Sequence, residues 1–441
     1  MSITESNAAD YSNIIDIAVI GGGPSGMAAA ISAKKYLRTL HAENRQVVLF
    51  ERNDRIGKKL LMTGNGRCNL TNLDTDRMHF HGSNAGFSEK ILDQFPPTSI
   101  ISFFEEIGVV CTEEDKKIFP LSLHAGSVLD SLRLALIDLE VQVRTGAKVS
   151  GISKDSEGYT LIFADGQKFF AKAVIVAAGG KSAPSTGSDG EGYELLRTFS
   201  HKLNQPLPSI VQLKTASEFC KPLSGNKLFG TATLVIDGVT IRKEEGDILF
   251  TDYGLSGPPI LQLSGFVSRA LYQKKDSTNP PDIYIHIDFL PMYSSDKVLS
   301  MLYERRAAFA GRRLEDFLTG LFHKRLSVGL LRQVTQKQLS AHVSSLSDRE
   351  TDYLAQICKA LPIHVNGTMP FANAQTTAGG IATDHFDACT LSSSFEKGLY
   401  ACGEILDVDG DCGGFNLQWA WASGFAAGES AAKYVTQENN V

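Results

Sequence analysis

The chain has 441 residues and 43% hydrophobic composition, enough for two or three separately cored units. Its 43 Lys and Arg against 49 Asp and Glu leave a net charge of −6, which argues against a general attraction to nucleic acid. No apolar run approaches the about 18–20 residues of a membrane span, and the seven cysteines, an odd number, contain no CxxC pair, so reduced thiols and no zinc site are expected.

The N-terminal stretch MSITESNAADYSN is polar and has neither a basic nor an apolar leader region, so a cytoplasmic protein is expected. Next, IIDIAVIGGGPSGMAAAISAKK reads as strand, tight turn and helix. Ile14–Ile20 is apolar almost throughout, as a parallel strand covered on both faces requires. Gly21, Gly23 and Gly26 fit G-x-G-x-x-G: one turns the chain, one admits a pyrophosphate, one seats helix on strand. Pro24 suits the first helical position, and Ser25 follows it at a helix start that offers free N–H groups to phosphate. A second strand, QVVLFE, ends in Glu51, 25 residues beyond Gly26, where a carboxylate can take ribose hydroxyls; Arg52 adjoins it.

LLMTGNGRCNLTN, Leu60–Asn72, crowds glycines, asparagines, an arginine and a cysteine together. The nearby HFH, His79–His81, is the closest approach to a metal-ligand pair, and reads as a surface loop. AVIVAAGGKSAPSTGSDGEGY is another buried strand ending in a glycine turn at Ala178, Gly179 and Gly180. Its GGKS tail is not a nucleotide-triphosphate loop, because the first glycine of that pattern would fall at Ile175. From Pro206 to about Leu290 the chain alternates as strands do, and from Asp296 to Leu361 it turns helical. Residues 295–360 carry 11 Lys and Arg against 7 Asp and Glu, net +4, which reads first as a solvated helical surface and second as a docking face for an anion. Finally, the stretch Lys397–Val435 places a strand end at Gly403–Glu404, a glycine turn, and a long alanine-rich helix from Asn416. Three strand-to-glycine-turn units spread from residue 20 to residue 415 fit one long ligand, and FAD has that length.

Read together, AVIGGGPSGMAAA, GKKLLMTGNGRCNLTN, FTDYGLSGPPIL, TTAGGI and GEILDVDGDCGGFNLQWAWASGFAAG resemble a bacterial family of BaiN-like, aminoacetone-oxidase-like FAD-dependent oxidoreductases. The motifs run in order from residue 17 to about residue 430. The resemblance implies an α/β fold: a discontinuous, glutathione-reductase-like Rossmann FAD domain over 1–205 and 362–441, an inserted β-rich, barrel-like domain over 206–294, and a helical subdomain over 295–361. It also implies reduction of carbon–carbon double bonds conjugated to a 3-ketone in bile acids. Asp252 stands where many relatives carry His, and Asp411–Cys412 where they carry Arg–Thr.

Glycines at 64 and 66 let backbone N–H groups approach a flavin edge; the alternative is a purely structural turn. Arg67 is expected to neutralise charge on the pyrophosphate or the reduced ring, with Asn69 supplying donor and acceptor together. Cys68 reads as a small buried residue rather than half of a redox pair, although Cys412 is a conceivable partner in the fold. A helix beginning near Asn416, with Gly414, Phe415 and Leu417 around its start, would point its positive end at the flavin N1–C2=O edge. Glu404 suits a ribityl or ribose hydroxyl, or is an exposed loop acid; Gly379 and Gly380 are expected to add a third glycine edge, and Val149 to lie on the cofactor. Tyr253 reads equally as the proton donor to a carbanion or as a core aromatic. The expected chemistry is reduction of an activated C=C of a small-molecule substrate, such as a steroid-like enone, with hydride passing through flavin N5. NAD(P)H would be a transient donor, since no second G-x-G-x-x-G unit is present. The rivals are an amine oxidase using O₂ and an RNA-associated flavoprotein.

Overall fold

A computed structural model describes residues 14–437, apart from 85, 217 and 276. The polar stretch MSITESNAADYSN lies outside the described residues. The chain divides into two compact units, Met1–Leu207 with Gln375–Val441, and Pro208–Ala374.

In the first unit the strand Ile15–Ile20 is buried along its whole length. It pairs in parallel with Val47–Phe50 on one side and with Lys168–Val176 on the other, so it sits inside the sheet and loses the alternation of a half-exposed strand. Gln142–Arg144 extends the parallel sheet beyond Val47–Phe50. Leu399–Ala401 pairs in parallel with the end of Lys168–Val176, while the hairpin Val149–Lys154 and Tyr159–Phe163 runs antiparallel to its start. One sheet is thereby assembled from both ends of the sequence.

The helices Pro24–Thr39 and Phe415–Gln437 pack with their backbones almost in contact. A Cβ on Gly424 would lie 2.5 Å from the Ser25 carbonyl oxygen, and one on Gly428 would overlap that of Ala29. Ala28, Ala29, Ala33, Ala427 and Ala431 have no exposed surface. The alanine-rich composition of both helices is therefore a condition of their spacing, over and above its effect on helix propensity.

The second unit holds a closed six-stranded antiparallel barrel, in the order Leu213–Thr215, Gly254–Ser256, Val239–Phe250, Lys227–Ile236, Ile283–Asp288 and Leu361–Thr368. Ile283, Ile285 and Ile287 point inward and alternate with half-exposed Tyr284, His286 and Asp288. Residues 362–374, assigned from sequence to the flanking domain, run instead as the closing barrel strand and its exit, with Leu361, Ile363 and Val365 buried in alternation. The helices Ser295–Ala308, Lys324–Val334 and Asp348–Ala360 share the barrel's core: Leu330, Leu354 and Ile357 belong to the same buried cluster as Ile287 and Ile363. Helical periodicity shows that a segment has a face to bury, but not which core receives it. Among the described residues no helix is long and apolar enough to cross a membrane.

Two stability predictions follow from this packing. Gly428→Val would force the two glycine-spaced helices apart and should cost a few kcal/mol, of the order seen for overpacked cores, read as a clear fall in Tm. The second concerns His201, which is buried, stacks on Phe386 with ring centroids 4.3 Å apart, and has Nε2 2.9 Å from the Ser393 hydroxyl. Burial lowers its pKa from 6.5 to about 4, with His385 adding to the shift. Between those values the unfolded chain binds the extra proton, so stability is complete above about 6.5 and falls as the pH drops towards 4. His201→Phe keeps a stacking ring without a titration, so the loss of Tm between pH 7 and pH 4.5 should be smaller than in the wild type.

Candidate functional site

The first glycine turn separates structural from open positions. Gly21 has φ +112°, and a Cβ there would overlap the Ala177 carbonyl oxygen; a Cβ on Gly26 would overlap that of Gly21. These two glycines let the chain cross the sheet edge and seat the helix. Gly23 differs, because nothing lies within 4 Å of its Cβ position. The helix Pro24–Thr39 starts with no side-chain cap and no acid in its first turn, so its leading N–H groups are available to a ligand. Ser25, in that first turn, is buried against Gly403, whose own Cβ would overlap its hydroxyl.

Glu51 is buried at the end of its strand; one carboxylate oxygen accepts Gly22 N–H at 2.8 Å, and the other accepts the backbone and side-chain N–H of Asn53 at 2.7 Å. Arg52 reaches both oxygens of Asp189 at 2.9 and 2.8 Å. Val149 stands two residues beyond Ala147, whose N–H donates to the Glu51 carbonyl at 2.8 Å. At the second turn Ala178 lies against Gly192, and Gly179 has φ +75°. A Cβ on Gly180 would lie 2.5 Å from the Thr377 hydroxyl and 2.6 Å from Glu404 Oε1. The Thr377 hydroxyl accepts the N–H groups of Lys181 and Ser182 at 2.8 and 3.0 Å and donates to Glu404 at 2.7 Å. Lys59 meets the other Glu404 oxygen at 2.6 Å. Glu404 is thus a half-buried tie between three segments, where an exposed loop acid was the alternative.

The stretch Leu60–Gly66 bends through two successive left-handed residues, Gly64 at φ +56° and Asn65 at φ +55°. A Cβ on Gly64 would press on the Asn69 nitrogen at 3.0 Å, whereas Gly66 has nothing nearer than the Leu61 carbonyl at 4.0 Å. Arg67 pairs with Glu114 at 2.9 Å and lies over the Phe119 ring at 4.1 Å, so an exposed acid and an aromatic face hold the charge expected at a pyrophosphate or a reduced ring. Cys68 is buried, and burial pushes its thiol up to about 12; Cys68 and Cys412 are not joined in a disulfide. Asn69 is buried and its Oδ1 has no hydrogen-bond partner. That atom lies 2.8 Å from the Cβ position of Gly414, and Asn72 donates to the Gly413 carbonyl at 2.8 Å. Asn416 accepts Gly410 N–H at 2.8 Å and donates to the Gly410 carbonyl at 2.7 Å, while Phe415 and Leu417 are buried beside it. The two most specific motifs, more than 340 residues apart, therefore share one cradle.

Gly379 and Gly380 are packing glycines, with Cβ positions against the Gln205 carbonyl and 2.8 Å from the Ile405 carbonyl; the edge they were expected to offer is spent on neighbouring backbone. Tyr253 belongs to the barrel unit, half-buried, with its carbonyl accepting Thr215 N–H at 3.0 Å. Sequence reading missed the role of HFH. Phe80–His81 is a short strand paired with Asp409–Gly410, and both imidazoles meet the buried Asp411 carboxylate, His79 at 2.9 Å and His81 at 2.8 Å. Lone histidines carry no signal for this; an acid inside a glycine turn, which must find partners if buried, is the nearest clue. Tyr193 was also missed: its hydroxyl is buried without a partner, and burial raises its pKa.

Comparison with known proteins adds to this geometry. Residues 15–430 match the model of the HI0933-like protein Rossmann domain. The chain is 36% identical over 417 residues to the 3-dehydro-bile acid delta(4,6)-reductase of Clostridium scindens, covering 95% of this chain and 99% of that one. It is 27% identical over 423 residues to the ribosomal RNA dihydrouridine synthase of Haemophilus influenzae, covering 94% and 98% of the two chains. The Escherichia coli protein of the same name is also 27% identical, over 422 residues, covering 94% and 97%. With its glycine turns, its two-ended sheet and a family match from first strand to closing helix, the chain belongs to the HI0933-like Rossmann family of FAD-binding, BaiN-like oxidoreductases.

Proposed function

We propose that the protein is an FAD-dependent reductase of a carbon–carbon double bond conjugated to a carbonyl group, with a steroid-like 3-keto enone as acceptor. The observation that carries the reaction class is the chemistry its relatives' names share: a delta(4,6)-reductase and a dihydrouridine synthase each saturate a C=C bond beside a carbonyl. The residues present fit the cofactor. Gly23 and Gly66 leave open approaches, the helix Pro24–Thr39 offers uncapped N–H groups, and Asn69 Oδ1 is a buried acceptor in want of a donor such as a ring N–H.

In this reading Gly21–Gly26 and Glu51 hold the adenosine diphosphate half, and Gly64–Asn69 with Gly413–Leu417 hold the ring. Bound FAD supplies the hydride at N5. The chain's own contribution is to orient the ring, exclude water and place a proton source. NAD(P)H remains the proposed donor. The parallel sheet of the first unit is the one dinucleotide-type sheet among the described residues, so a nicotinamide would dock transiently.

A second reading takes uridine in ribosomal RNA as the acceptor. It is supported by the two relatives named for that product and by the net +4 of residues 295–360 in a chain of net −6.

One anaerobic experiment separates these readings and the amine oxidase. Reduced protein is mixed with a 3-keto-4-ene steroid or with ribosomal RNA, and oxidised protein with aminoacetone. Reoxidation by the steroid is the expected result; reoxidation by RNA alone would transfer the assignment to the second reading, and bleaching by the amine to the oxidase. A pair of glycine variants tests the cofactor assignment. Gly23→Ala meets no protein atom, so Tm should stay within a degree or two while FAD affinity falls about tenfold or more, about 1.4 kcal/mol. Gly26→Ala collides with backbone and should lower stability itself, read by thermal melt beside the visible spectrum.

A further inference from the structure

The cluster of His79, Asp411 and His81 has no part in holding the cofactor as assigned above. The Asp411 side chain is 2% exposed, and its two oxygens face different rings, Oδ2 to His79 Nδ1 and Oδ1 to His81 Nε2. A carboxylate only accepts, so each facing nitrogen carries the hydrogen and the outward nitrogens are fixed as His79 Nε2 and His81 Nδ1. The aspartate of a serine-protease triad orients its imidazole in the same way.

The two rings are held differently. His79 Nε2 lies 3.7 Å from Asp74, which Lys116 meets at 3.0 Å, and the His79 ring stacks on Phe415 with centroids 4.2 Å apart. His79 is thus placed between two acids and against an aromatic face, the setting of a brace. His81 is carried on the strand paired with Asp409–Gly410, at the root of the turn that contains Gly413 and Gly414, and its side chain is 19% exposed. The same turn is fastened to His79 by Asp411 N–H donating to the His79 carbonyl at 2.8 Å. An imidazole and its orienting carboxylate are therefore built into the loop that, in the reading above, cradles the ring.

We propose that His81 is the proton donor of the double-bond reduction, with Asp411 and His79 positioning it. This rests on the C=C-reductase reading and replaces Tyr253 in that role. FAD, held in that reading by Gly64–Asn69 and Gly413–Leu417, would supply the hydride for the new C–H bond at the β-carbon. The π pair of the C=C shifts towards the carbonyl, and the α-carbon takes the proton of protonated His81 through Nδ1, leaving the neutral ring with Nε2–H on Asp411. Solvent restores the proton. The charged groups facing the pair are Asp411 itself, Asp409 across the strand pairing from His81, and Asp74 with Lys116 beside His79.

The test uses the FAD-loaded full chain, reduced with dithionite and mixed anaerobically with a 3-keto-4-ene steroid and, separately, with ribosomal RNA. His81→Gln should slow reoxidation by about 100-fold or more, within the usual range for a general acid. It should also flatten the pH profile, keep the wild-type FAD content, and be partly rescued by added imidazole. Asp411→Asn should shift the pH profile with a smaller loss, and Tyr253→Phe should leave both unchanged. A His81→Gln variant with the wild-type rate and profile, or one that imidazole does not rescue, overturns the proposal. If the wild type is reoxidised by neither acceptor, the reductase reading itself falls. The cluster is then judged by nitrogen NMR of histidine-labelled protein: a His81 Nε2–H signal that Asp411→Asn leaves unmoved overturns the arrangement, and one that shifts upholds it.

Discussion

Everything in the first unit depends on backbone meeting backbone between segments from opposite ends of the chain. Gly424 and Gly428 lay the closing helix against Ser25 and Ala29, Gly403 lies on Ser25, and Gly414 lies on Asn69 and Thr71. Each contact requires the absence of a side chain, and none is available to a neighbour in sequence. Protein interiors tolerate little extra volume, so these glycines set the distance between the two halves of the cradle. That distance decides whether a ring held by one half is reached by the groups on the other.

The polar ties lock what the glycines bring close. Lys59 and Thr377 converge on Glu404, Asn72 takes the Gly413 carbonyl, and Asn416 holds Gly410 from both sides. These are side-chain bonds to backbone or to a half-buried acid, which cost more to break than surface pairs because an unmet group would be left inside. An oxidoreductase gains from such rigidity, since reaction depends on a distance between groups that a loose loop does not keep. Cys68 fits the same account. Buried, with its thiol pushed up to about 12, it fills space under the turn.

Much of this was legible in the residues. The strand Ile15–Ile20 and the turn after it announce themselves by a continuous apolar run and by glycine spacing, both local properties. The barrel's alternation was also local, as Ile283, Ile285 and Ile287 show. What stayed hidden was long-range. Nothing near residue 361 says that Val365 closes a barrel against Thr215 and does not join the flanking sheet. Nothing near Arg67 says that Glu114 and Phe119 lie within its reach. Gly379 and Gly380 looked like ligand glycines because a glycine's demand for space reads the same whether backbone or cofactor fills it. HFH looked like a surface loop because its partner, Asp411, is 330 residues away.

The insertion of the barrel unit follows from the same logic. The chain leaves and re-enters the first unit through Leu203–Ser209 and Thr376–Ile381, which pair as a two-stranded sheet so close that Gly379 has no room for a Cβ beside Gln205. With exit and entry side by side, an insert of any length closes a loop whose ends are already fixed, and loop entropy grows only slowly with that length. The first unit can therefore be completed by its C-terminal part across a long interruption, provided the insert buries its own core, as the cluster around Ile287 and Leu354 does. Half of the cradle therefore lies beyond the insert, C-terminal to the strand Thr376–Ile381. A ligand that bound only the completed cradle would stabilise the junction between the two ends, so its binding and the closure of this unit would be thermodynamically linked.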